Sequence, residues 1–274
     1  MPAVLVTGAG RGIGLATTRR LAAAGWTVHA AARSDAHRAE LGSIENVVPV
    51  ELDITLESDV AALPGRLPDR LDGLVNNAGI AVHGPIEALS RADVARQLDV
   101  NVAAQVAVTQ SVLPALRAAR GRIVFVSSVS GRVATPGTGI YCASKYAVEG
   151  LADALRIELR PWRIGVSLVE PGPTHTDMWT GVFDDFDAAT AAMSEEHRSL
   201  YRKQISGMRR LLPAMQRSAV DPDVVATRIE HALTARRPRR RYLCDTASRA
   251  QVVATGLTPQ LITDRVISLA TRSR

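Results

Sequence analysis

Residues 3–14 restrict the fold more than any other stretch. Ala3-Val4-Leu5-Val6 is a short apolar strand that runs straight into Thr7-Gly8-Ala9-Gly10-Arg11-Gly12-Ile13-Gly14. A helical pattern follows from Leu15 to Ala24, closed by Gly25. Strand, glycine turn and helix in that order make a phosphate cradle. Glycines let the backbone approach a pyrophosphate, and the helix start offers free N–H groups and the positive end of a dipole. The spacing fits T-G-x-x-x-G-x-G and not the more widespread G-x-G-x-x-G fingerprint. Leu15, where a P-loop would need lysine and then Ser or Thr, excludes an NTPase cradle.

Short apolar runs recur along the chain with helical stretches between them. Strands are predicted at Thr27–Ala31, Val47–Leu52, Gly73–Val75, Arg122–Val126, Ile164–Val169 and Tyr242–Cys244. This alternation predicts an α/β fold: a Rossmann-like, doubly wound parallel sheet with helices on both faces. With 274 residues, 46% of them hydrophobic, residues 1–274 form one domain around one large core. Pro64-Gly65 and Pro68 punctuate a loop, and Ser90 caps a long helical region that reaches Ala119 and is interrupted near Asn101. Asp221-Pro222 starts a helix that Pro238 ends.

The chemistry concentrates at Tyr141-Cys142-Ala143-Ser144-Lys145. Tyr141 and Lys145 are one helical turn apart on the same face. A free phenol titrates near ~10 and is a poor acid or base at neutral pH. A nearby ammonium favours the phenolate, so the pair is expected to lower the tyrosine pKa and act as a general acid/base. Of 33 basic side chains, only Lys145 and Lys203 are lysines. In a chain that otherwise uses arginine, a compact and tunable amine stands beside this tyrosine. Ser127 and Ser128 close the strand Arg122–Val126, and alternation points them to opposite sides of the sheet. No G-x-S-x-G elbow surrounds either serine.

These segments together resemble the short-chain dehydrogenase/reductase family, in its single-domain form, and within it the NADP-dependent hydroxysteroid and retinol dehydrogenase-like members. The matching motifs run in the family's order: Thr7-Gly8 with Gly12-Ile13-Gly14, Asn76-Asn77-Ala78-Gly79, Asn101, Ser128, Tyr141 with Lys145, and Pro171-Gly172 with Thr176. They cover about the first two-thirds of the chain. The resemblance implies that Ser128, Tyr141, Lys145 and Asn101 form the catalytic set. It selects Ser128 over Ser127 and makes Asn101 the holder of a proton-relay water. It places Gly8, Arg11, Gly12, Ile13 and Gly14 against the cofactor's phosphates, and Asp53 and Ile54 around its adenine. Asn76, Ala78 and Gly79 become the cofactor wall, while Pro171, Gly172, Thr174 and Thr176 turn around the nicotinamide. Asp53 equally suits a helix cap or loop acid.

Relatives that prefer NAD carry an acid at the end of the second strand. Here that position holds Ala32, followed by Arg33. Arg33 and Arg11 could clamp a 2′-phosphate, so NADP(H) is expected. Asp35 is the competing feature, since a shifted loop would bring it to the ribose.

Residues 177–217 separate the sixth strand from the next capped helix and are rich in apolar side chains, including Met178, Trp179, Phe183 and Phe186. Such an insertion is expected to be a helical lid over a bulky apolar carbonyl or alcohol, or else a helical pair with its own core. Residues 245–274 are expected to form a helical tail. Alternative readings are a reductase of acyl-carrier-bound ketones and a non-catalytic NADP-sensing protein. The net charge of +6 and pI near 10.0 permit acidic partners. Arg236, Arg237, Arg239, Arg240 and Arg241 form a dense run, read as a solvated turn or a membrane-surface contact. No nucleic-acid motif accompanies it. No apolar run reaches ~18 residues, so no integral membrane segment is expected. No metal-ligand spacing is present. The two cysteines, Cys142 and Cys244, and the absence of a leader pattern fit a cytoplasmic protein. The resemblance implies a homodimer or homotetramer.

Overall fold

The computed structural model describes residues 1–271, apart from the side chains of Met178 and Ala270. Its strands are β1 (Ala3–Val6), β2 (Thr27–Ala32), β3 (Val47–Glu51), β4 (Gly73–Asn76), β5 (Arg122–Val126), β6 (Gly165–Glu170) and β7 (Arg241–Leu243). They form one fully parallel sheet in the order β3-β2-β1-β4-β5-β6-β7. The order reverses between β1 and β4. In open α/β sheets a ligand crevice forms at such a point, beyond the carboxyl ends of the strands.

Strand alternation distributes the core. Leu5, Ile123 and Phe125 pack on one face with α3 (Glu57–Arg66), α5 (Ala104–Ala119) and α6 (Gly139–Glu158). Val4, Val6, Val124 and Val126 pack on the other with α1 (Gly12–Ala23), α2 (Asp35–Gly42) and α11 (Pro222–Thr234). Because both faces are covered, the strands are nearly continuous apolar runs and not alternating ones.

The helix α3 runs through Pro64 to Arg66, where the sequence predicted a loop. Pro64 sits near the helix's end, and the burial of Val60 and Leu63 against the sheet outweighs the lost hydrogen bond. The helix α4 (Arg91–Leu98), capped by Ser90, is joined to α5 by a π-helical turn at Asp99–Ala103. This turn is the interruption expected at Asn101.

Residues after β6 form α7 (Asp177–Thr180), α8 (Val182–Ala192), α9 (Glu195–Leu200) and α10 (Arg202–Arg217). Val182 and Phe186 of α8 meet Met208 and Leu212 of α10 in a small cluster of their own. Each pair is one helical turn apart, so each helix presents a single apolar stripe. After β7 come α12 (Thr246–Leu257) and α13 (Gln260–Thr271). Cys142 and Cys244 are buried free thiols. Among the described residues, no helix is long and apolar enough to cross a membrane, and no cluster of three or more His, Cys, Asp or Glu is placed to hold a metal.

The arginine run is not uniform. Arg236, Arg237 and Arg240 are exposed. Arg241 begins β7 and binds inward, donating to Glu149 at 2.9 Å and Asp153 at 2.7 Å. It belongs to the interior, because Glu149 and Glu170 are buried beside it and need a cation.

Candidate active site

The glycine turn is held by packing as much as by conformation. Gly8 and Gly12 have φ of +64° and +53°, a region other residues rarely adopt. A Cβ on Gly14 would stand 2.1 Å from the Gly8 carbonyl oxygen. Asn77 clamps the same turn, donating from Nδ2 to the carbonyls of Thr7 (2.9 Å) and Gly8 (3.2 Å). The Thr7 hydroxyl accepts from the amides of Asn77 and Ala78. The end of β4 is thereby stitched to the end of β1.

One continuous cleft of about 550 Å³ begins at this turn and follows the sheet edge. It is lined by Gly8, Arg11, Gly12, Ile13, Arg33, Asp53, Ile54, Ala78 and Gly79, then by Ser128, Tyr141, Lys145, Pro171, Gly172, Thr174 and Thr176. Three expected site residues do not reach it. Gly14 lies beneath the turn. Asn76 is fully buried and donates to Thr109 Oγ1 at 2.9 Å, because alternation at the end of β4 turns it inward and leaves Asn77 at the edge. Asn101 is also fully buried. Its Oδ1 accepts from the Ile80 amide at 2.9 Å, and its Nδ2 donates to the Ile80 carbonyl at 3.0 Å and to Ser144 Oγ at 3.1 Å. The side-chain amide is thus committed to a latch between the Ile80 loop and α6.

Gln97 extends this latch, accepting from the Val82 amide at 2.7 Å and donating to Ser144 at 3.3 Å. Gln97, Ser144 and Asn77 were not singled out from the sequence. The only hint was that Gln97 and Asn101 are four apart, and Ser144 sits beside Lys145.

At the β2 end, Arg33 lies 3.4 Å from Asp53. Burial alone would raise the Asp53 pKa, but hydrogen bonds from Thr55 and the charge of Arg33 hold it below the usual range. Asp35 is exposed, ion-pairs with Arg38 and does not line the cleft. Arg11 faces Asp177 at 3.5 Å, with both side chains mostly exposed. His37 lines the same end and packs under Gly10.

At the other end, Ser128 caps a short turn, its hydroxyl oxygen accepting from the Ser130 amide at 3.1 Å. Lys145 donates to the Val126 carbonyl at 2.9 Å, and its Nζ lies 5.8 Å from the centre of the Tyr141 ring. Burial pushes the Tyr141 phenol up to about 12, with the Ser128 hydroxyl acting in the opposite direction. Burial pulls Lys145 down to about 8, against the charge of Glu149. The sequence expectation of a lowered phenol is not met in the protein alone. Desolvation disfavours both charged forms, and the ammonium is bonded to a strand carbonyl and not to the phenol.

Behind Lys145, Glu170 is fully buried at the end of β6, 3.3 Å from Arg241 and 3.5 Å from Arg132. Burial and the nearby Glu149 push it up to about 7 despite the two arginines.

The cleft ends under α7, α8 and α10, where Trp179, Val182, Phe186, Met208, Leu212 and Met215 line it. Phe183 packs within the helices' own cluster instead. The side chain of Met178 lies outside the described residues.

Comparison with known proteins places this architecture. Residues 2–187 match the short chain dehydrogenase family model. The chain is 37% identical to retinol dehydrogenase 16 of Rattus norvegicus over 251 residues, covering 87% of this chain and 79% of the relative. It is 33% identical to an uncharacterized oxidoreductase of Escherichia coli, covering 96% and 93% of the two chains. A solved short chain dehydrogenase from Burkholderia cenocepacia in complex with NADP superposes with a TM-score of 0.77 at 25% identity, over 96% of each chain.

Proposed function

The chain belongs to the short-chain dehydrogenase family and is an oxidoreductase acting on CH–OH groups with a nicotinamide cofactor; from that premise we propose that it uses NADP(H) and interconverts a bulky apolar carbonyl and its alcohol. The observation that carries this reading is the continuity of the cleft from the glycine turn, past Ser128, Tyr141 and Lys145, to the apolar stripe of α8 and α10.

The residues fit a dinucleotide. Gly8 and Gly12 line the cleft in the turn that leads into α1, where a helix start favours a phosphate, and the clash a Gly14 side chain would make keeps the turn tight. The β2 end offers Arg33 and Arg11, and the acids near them are already ion-paired: Asp35 with Arg38, Asp53 with Arg33 and Asp177 with Arg11. Two guanidiniums there suit a 2′-phosphate. The Burkholderia relative is in complex with NADP, which agrees with this choice.

The bound nicotinamide would exchange a hydride with the substrate carbon. In reduction, Tyr141 donates its proton to the carbonyl oxygen, and Ser128 donates a second hydrogen bond to the same atom. A phenol as reluctant as Tyr141 needs a cation near its oxygen to release that proton. Lys145, whose Nζ lies 5.8 Å from the centre of the Tyr141 ring, would supply that charge and would also hold the nicotinamide ribose. Asn101 keeps α6 in register with the Ile80 loop. Residues 177–217 act as the lid, whose apolar underside removes the substrate's hydrocarbon from water at about 25 cal/mol per Å². Retinol, named in the rat relative, is a substrate of that kind.

The test is NADPH oxidation by the purified protein against a panel of ketones and aldehydes. Turnover favouring apolar compounds is expected. Turnover confined to small polar compounds would remove the apolar assignment, and none at all would remove the catalytic one.

A further inference from the structure

A further space, half open to solvent, lies against the same helices as the cleft. A second cavity of about 610 Å³ lies beside the first, within the range of about 300–1,000 Å³ that holds a whole small molecule. Thr135, Gly137, Phe186 and Met208 line both, so they form the partition between them. At Gly137 a Cβ would come within 4 Å of nothing but Met208 Cγ, at 4.0 Å. The partition there is a methionine side chain facing a bare backbone, and methionine turns about three bonds at little cost.

Beyond the partition the walls are mainly apolar, with Ile86, Ala189, Met193, Ile205 and Ile267 among them. Among the described residues, no Lys, Arg or His lines this cavity, whereas Glu87 and Asp264 do. A chain ending in a carboxylate or phosphate would meet the like charge of Glu87 and Asp264.

The geometry points to an elongated, uncharged apolar chain as the substrate, whose reacting carbon lies at Tyr141 and whose tail passes Met208 and Phe186 into the second cavity. This deepens the proposed function and rests on it for the position of the reacting carbon. A compact ring system would fill the space under the lid and leave the second cavity unused.

Calorimetric titration of straight-chain primary alcohols, from butanol to decanol, into the NADP-loaded protein tests this without requiring turnover. Kd is expected to fall up to roughly fourfold per added methylene while the tail is being buried. Decanol bearing a terminal carboxylate is expected to bind at least tenfold more weakly than decanol. Ala189→Phe and Thr190→Phe each fill the second cavity and should collapse the decanol-to-butanol ratio. Retained NADP binding identifies a folded variant. A Kd independent of chain length in the native protein, or the native ratio in both folded variants, would overturn the proposal. Length-dependent binding without hydride transfer would support the tail cavity while removing the catalytic reading.

Discussion

The two ends of the cleft are built differently. At the glycine turn the wall is backbone, pinned by contacts that leave no room for a methyl group: 2.1 Å from a Gly14 Cβ to the Gly8 oxygen, 2.9 Å from a Gly12 Cβ to Thr176. At the lid the wall is side chain: Phe186, Met208 and Leu212 on helices whose cluster is separate from both sheet-facing cores. Backbone walls admit few residue types and hold one ligand shape. Side-chain walls admit many combinations and can differ between relatives that share the first end. The cofactor end is therefore expected to govern whether the enzyme works, and the lid end what it works on.

The largest effect that sharpens this contrast belongs to Lys145→Arg. A planar guanidinium is larger than the ammonium that donates to the Val126 carbonyl and cannot take its place between ribose and phenol. Turnover should drop by roughly 10²-fold or more, measured at saturating NADPH. Recovery of most activity would reduce Lys145 to a generic positive charge.

Next comes Gly14→Ala. Forcing a methyl against backbone should cost about 3 kcal/mol in urea unfolding. Gly150→Ala on α6, where a Cβ meets nothing within 4 Å, should instead stabilise by about 0.5–1 kcal/mol. Equal effects at the two glycines would break the claim that packing defines the turn.

Arg33→Ala should weaken NADPH binding by roughly tenfold, from the loss of a charge-assisted contact of about 1.5–3 kcal/mol, and leave NADH nearly unchanged. Equal affinity of the native protein for the two cofactors would shift the ribose contact toward Asp35.

The smallest effect concerns the acid behind α6. Glu170 is raised from 4.5 to about 7 by burial and by Glu149, with Arg132 and Arg241 opposing. A carboxyl whose folded pKa lies above its unfolded value contributes stability that is full below pH 4.5 and is lost as pH rises through about 7. Glu170→Gln should flatten that loss in unfolding measured across this window. An unchanged slope would mean that another group titrates there.

The same contrast explains what could be read from the sequence. The β1 turn, the Tyr141–Lys145 spacing and the alternation of strands were legible, because backbone geometry dictates those residue types. The replacement of Asn76 by Asn77 at the edge was not, since one step of strand register decides it and adjacent asparagines are chemically identical. The latch of Gln97, Asn101 and Ser144 joins residues from two helices through the backbone of Ile80, a contact no local pattern announces. Phe183 and Phe186 look alike in sequence. Both join the cluster of α8 and α10, but only the packing of these helices lets Phe186 line the cleft as well, while Phe183 does not reach it. The raised Tyr141 pKa was missed because helical spacing gives proximity to Lys145 but not the burial of the phenol, which pushes it up.

The central claim is that the proton comes from the Tyr141 hydroxyl, at the junction of the two ends. Single-turnover reduction of an apolar ketone by Tyr141→Phe, together with its NADPH affinity, tests it most directly. The predicted result is native NADPH affinity with the hydride-transfer rate reduced by roughly 10³-fold. A rate within a few-fold of the native protein, on a variant that still binds NADPH, would contradict it.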